Sequence, residues 1–167
     1  MSRFPSLLFA TCATGLVVAA AAWLQGAPEG AGGEPGGIQE LAARPEVARA
    51  LAAVDAQKDR ILQDWIDLAS TPSFSGDEGR RAEIVESRMK AAGLEDVHRD
   101  AAGNVMGILP GLDRKAKRTV FMAHMDTVAK PGADFTVRRE DGILRGPGVR
   151  DDSSGLSATL TAARLAG

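Results

Sequence analysis

Thr119-Val120-Phe121-Met122-Ala123-His124-Met125-Asp126-Thr127-Val128, followed by Gly146-Pro147-Gly148-Val149-Arg150-Asp151-Asp152-Ser153-Ser154-Gly155, decides the reading of this chain. The first stretch predicts a buried strand that carries an imidazole and a carboxylate to its C-terminal end. The second is a Gly-rich turn that places two further carboxylates just before a helix. An imidazole with convergent carboxylates is the donor set that a divalent metal such as zinc takes. Alternate residues of a strand share a face, so Asp126 can accept the second ring N–H of His124 and fix its tautomer. Between the stretches, Phe135–Arg139 and Ile143–Arg145 flank Glu140-Asp141-Gly142. Asp-Gly between β-branched and aromatic residues predicts a hairpin. Either motif alone is weak, because an isolated His is more often structural and Asp is a common helix cap. In this order and spacing the two reinforce each other.

The flanking sequence predicts an α/β domain with a mostly parallel central sheet flanked by helices. Pro45 opens a helix whose apolar spacing runs through Val54, Ile61 and Trp65 to about Ala69, and Thr71-Pro72 ends it. Ser75 with Glu78 has the form of a capping box for a helix that reaches Ala92, with Gly93 as its stop. Strands are expected at Glu95–Arg99, Val105–Leu109 and Val120–Ala123, and a last helix from Gly155 to Ala166. Ligands of such sheets sit at the carboxyl ends of strands, which is where His124 and Asp151 fall. His98, the other histidine, has no assigned role. Trp65 is expected in the core, and Arg138, Arg139, Arg145 and Arg150 on solvated surface. Gly146-Pro147-Gly148 lacks the Lys-Ser/Thr ending of a phosphate loop.

Taken together, Leu68–Glu78, Ala101–Gly107, Leu109-Pro110-Gly111 and the two opening motifs resemble the M20 family of metallopeptidases and amidohydrolases over about two thirds of the chain. The resemblance implies the N-terminal part of a zinc-peptidase-like catalytic domain, with two divalent ions, zinc or else cobalt or manganese. It implies that His124 binds one ion, Asp151 bridges both, Asp126 orients His124 as the supporting catalytic acid, and Asp152 positions backbone across a cis peptide. The family's general-base Glu and remaining ligands follow the last helix, so the chain is expected to be truncated and inactive alone. Implied substrates are small peptides or N-acyl amino acids, without separating aminopeptidase, carboxypeptidase and deacylase, and the full-length protein is expected to dimerise. The alternative function is a non-catalytic exported domain that binds a metal or partner.

Composition narrows the rest. With 44% hydrophobic and 25% charged residues among 167, the chain can bury one modest core. A net charge of −2, 4% aromatics and no basic cluster argue against nucleic acid. Residues 1–27 have the form of a signal peptide, with Arg3 before an apolar run and small residues at Ala20 and Ala22. Export to the periplasm or outside the cell is the expectation, and an uncleaved membrane anchor the alternative. Residues 28–43 contain a Gly/Pro-rich linker, and residues 44–167 form the catalytic part. Cys12, the single cysteine, lies in the targeting segment, so no disulfide is expected.

Overall fold

Pro45 has no N–H to leave unsatisfied, and it occupies the first position of a helix, α2 (Pro45–Ala56). The computed structural model describes residues 7–12 and 37–166. A six-residue helix, α1 (Ile38–Ala43), precedes α2 and buries none of its residues. The single helix expected from Pro45 to Ala69 is divided. Gln57 leaves helical geometry at φ −113° and ψ 12°, and α3 (Lys58–Ser70) follows. The break separates α2, which buries no side chain, from α3, which buries Leu68 and Ala69. Gln57 also accepts a hydrogen bond from Arg164 of the last helix.

The expected targeting segment (1–27) and linker (28–43) lie mostly outside the described residues. Within them, Leu7–Cys12 is a strand, β1, and Ile38–Ala43 is α1. Among the described residues no helix is long and apolar enough to cross a membrane.

The structure is α/β. Helix α4 (Gly79–Ala91) ends at Gly93, whose φ of +78° needs glycine. Strands β2 (Glu95–Arg99), β3 (Val105–Leu109) and β4 (Thr119–His124) join β1 in a sheet of order β2-β3-β1-β4. The pairing is mixed and not mostly parallel: β1 runs parallel to β4, while β1–β3 and β2–β3 are antiparallel. The physical reason is the short turn between β2 and β3, which can join only antiparallel neighbours. Asp100 holds that turn, accepting the Ala102 and Asn104 N–H groups at 2.9 Å each. A second, two-stranded sheet is the expected hairpin, β5 (Arg138–Glu140) and β6 (Ile143–Arg145). Asp141 and Gly142 both have positive φ, 51° and 78°, as a tight two-residue turn demands.

Helix α4 packs on β2 and β3, and α5 (Ser154–Ala166) packs on β4, α3 and α4. The core between them contains Leu68, Val85, Met89, Val105, Met125 and Leu156, all fully buried. The expected buried strand at 120–123 is buried on one face only. Ala123 faces the core, whereas Val120 and Met122 are 49% and 52% exposed. Strand alternation makes the difference, because α5 covers one side of β4.

Leu156→Ala, at the centre of this core, is expected to cost about 2–5 kcal/mol. Val128→Ala, at a fully solvated side chain, should stay within about 0.5 kcal/mol of the parent. Urea denaturation of the two variants checks the contrast.

Candidate metal centre

Strand β4 ends at His124, and the chain then crosses the sheet edge as Met125-Asp126-Thr127. Backbone and side chains from the α3–α4 connection hold this crossing. Thr127 donates its N–H to the Ser73 carbonyl at 2.7 Å, and the Ser73 hydroxyl donates to the Met125 carbonyl at 2.8 Å. Asp126 is therefore fixed beneath His124 and nearly buried. Its Oδ1 lies 3.0 Å from His124 Nδ1, while its Oδ2 accepts the Ser75 hydroxyl at 2.5 Å. Ser75 does not cap α4 as the sequence predicts. That helix starts at Gly79 without a side-chain cap, and Glu78 instead accepts the Gly76 N–H at 2.6 Å. The hydroxyl is engaged by Asp126, which is the stronger, charged acceptor.

The second arm is the turn Val149–Ser153, which leads from the hairpin into α5. Two glycines make it possible. Gly148 has φ +64°, and a Cβ there would lie 2.4 Å from Thr127 Oγ1. At Gly155 a Cβ would lie 2.2 Å from Asp152 Oδ1. The turn is tied to α3 as well, because the Trp65 indole N–H donates to the Val149 carbonyl at 2.7 Å. Trp65 is half-buried, so it serves packing and anchoring together. Asp151 and Asp152 are joined by a cis peptide bond.

The two aspartates differ in their partners. Asp152 Oδ1 accepts the Gly155 N–H at 3.0 Å, and Oδ2 accepts the His124 N–H at 3.3 Å. Both its oxygens serve backbone, across the two arms. Asp151 has an 82% exposed side chain and reaches His124 Nε2 with Oδ1 at 2.8 Å. Thus the structure brings His124, Asp126 and Asp151 together, with one carboxylate on each ring nitrogen. His98 sits on β2, solvent-exposed and associated with Asp96. Ser73, Ser75 and Trp65 were not assigned to the site from sequence; their local signals are those of a turn and a core helix.

Burial of the imidazole alone would lower the His124 pKa. Hydrogen bonds to Asp151 and Asp126, with the charges of Asp152 and Asp126, outweigh it and raise the pKa above 6.5. Burial holds Asp152 above the usual carboxylate range, despite the His124 charge and two backbone donors. The donor set is chemically suited to zinc: an imidazole nitrogen backed by a carboxylate on its other side, facing a solvent-accessible carboxylate. It offers two donors that could hold an ion. Among the described residues no group of three or more His, Cys, Asp or Glu has metal-holding geometry.

Residues 104–167 match peptidase family M28. The matched segment contains His124, Asp126, Asp151 and Asp152. The chain is also 33% identical over 91 residues to "Peptidase T" of Geobacillus kaustophilus (strain HTA426), covering 46% of this chain and 22% of that protein. This chain thus spans about a fifth of the length of that relative. Its similarities are to peptidases.

Two outcomes test the site. Gly155→Ala should destabilise the protein by about 1–3 kcal/mol, because the new methyl must displace the Asp152 carboxylate. Gly79→Ala, where nothing lies within 4 Å, should be neutral or stabilising by up to about 1 kcal/mol. Equal thermal unfolding of the two would contradict the geometry. In the metal-free protein, NMR titration should place His124 above 6.5, and Asp151→Asn should bring it down. The sign follows: the imidazolium's contribution to stability is complete below 6.5 and is lost as pH rises through the raised value.

Proposed function

We propose that this chain contributes part of the metal centre of an M20-type hydrolase, which cleaves peptide or amide bonds with water. One observation carries the reading: the His124 imidazole is clamped by Asp126 on Nδ1 while its Nε2 faces the accessible carboxylate of Asp151. The peptidase similarity over 104–167 supports it. Short peptides or N-acyl amino acids are the substrates this reading implies.

The residues divide the work according to their contacts. Asp126 accepts a hydrogen bond from Nδ1–H and keeps the proton there, which leaves the Nε2 lone pair for a metal and makes the imidazole a better donor. Asp151 has two oxygens free of backbone partners among the hydrogen bonds described, so it is the carboxylate suited to contact two ions. Asp152 is unsuited to that task, since both its oxygens accept backbone N–H groups. A pair of divalent ions, zinc by the donor chemistry, would supply Lewis acidity at the scissile carbonyl and lower the pKa of a water molecule. The proposal requires further groups outside the set described here. These are at least one more ligand and a general base that carries the water proton to the leaving amine.

His124→Ala in the full-length protein should abolish hydrolysis of short peptides and strongly weaken zinc binding. Zinc content by atomic absorption and turnover of a dipeptide panel provide the check. Retention of both at parental values would refute the assignment.

A further inference from the structure

Arg81 is the largest fully buried side chain of the described structure, and it belongs to the first turn of α4. Burying a guanidinium is costly unless its donors are satisfied. Here Nη1 and Nη2 are satisfied, by groups that all belong to the segments that hold the site, while the buried Nε has no hydrogen-bond partner among the described residues. Nη1 donates to the Met125 carbonyl at 2.7 Å and to Thr127 Oγ1 at 3.0 Å. Nη2 donates to the Thr71 carbonyl at 2.6 Å, at the start of the turn that carries Ser73 and Ser75. Asp126 is the opposing charge; burial pushes the Arg81 pKa down to about 10, still cationic at neutral pH.

The second arm is reached through Thr127. The same Oγ1 that accepts from Arg81 sits against Gly148, so closely that no side chain fits there. The Gly148 carbonyl accepts the Ser153 N–H at 3.1 Å and closes the turn that contains Asp151. Three segments, 71–75, 125–127 and 148–153, therefore meet around one guanidinium and the threonine it holds.

We propose that Arg81 is a positioning residue for the metal centre, bracing the His124 arm against the Asp151 arm so that their donors converge. It touches neither substrate nor metal. A lysine keeps the charge but not the planar fork, which here spans two carbonyls and a hydroxyl. This inference rests on the proposed metal reading.

The test measures zinc-ion affinity of the full-length protein by competition with a chromophoric chelator, for the parent, Arg81→Lys, His124→Ala and the double variant. Thermal melting runs in parallel. Arg81→Lys should weaken zinc binding about 10- to 100-fold, the usual effect of removing a residue that orients a ligand. It should add nothing in the His124→Ala background. A role in stability alone would lower the melting temperature and leave the zinc affinity of the folded protein unchanged, which overturns the proposal. If Arg81→Lys does not fold, Thr127→Val removes one acceptor and leaves the guanidinium in place. It should weaken zinc binding several-fold, and parental affinity overturns the brace. Weakened zinc binding in His124→Ala with parental affinity in Arg81→Lys sinks the Arg81 inference alone. Parental affinity in His124→Ala sinks the metal reading and this inference with it.

Discussion

The contact between His124 Nδ1 and the Asp126 carboxylate is the interaction on which the rest of the site depends. It sets the ring orientation at the end of β4, and so it decides which nitrogen faces Asp151. A histidine at a strand end without this partner could rotate, and its Nε2 would have no fixed direction. Asp126 is itself held from the other side by Ser75, and the backbone on both sides of it is held by Ser73. Precision in such a site comes from the groups that orient the ligands as much as from the ligands.

This arrangement concentrates charge where the chain can least solvate it. His124, Asp126 and Arg81 are nearly or fully out of water, and Asp152 is partly so. Each finds an opposite charge or several hydrogen-bond partners, which is the condition under which buried charge is tolerated. The exposed member is Asp151, the group with most to gain from a cation. A raised His124 pKa belongs to the same pattern: three carboxylates around one imidazole favour positive charge, and a divalent ion would meet that demand in place of a proton.

Much of this could be read from the sequence where local chemistry dominates. Asp141-Gly142 specified the hairpin because its turn needs two positive φ values. Gly93 marked the end of α4 for the same reason, and β2 and β3 fell at the expected residues. The motif residues His124, Asp126 and Asp151 proved to be neighbours. What escaped reading was long-range. Ser75 looked like a helix cap because its partner, Asp126, lies 51 residues away. Arg81 carries no local signal, since only the tertiary fold buries it. The break at Gln57 carries no Gly or Pro signal. The open face of β4 was equally hidden, since Val120, Phe121 and Met122 read as a continuous apolar run whatever covers them.

The most direct measurement is a crystal structure of the zinc-loaded full-length protein with anomalous data at the zinc edge. The account predicts anomalous density about 2.0–2.2 Å from His124 Nε2 and from a carboxylate oxygen of Asp151, with Asp126 still on Nδ1. Zinc bound elsewhere, with His124 and Asp151 remaining hydrogen-bonded to each other, would contradict it.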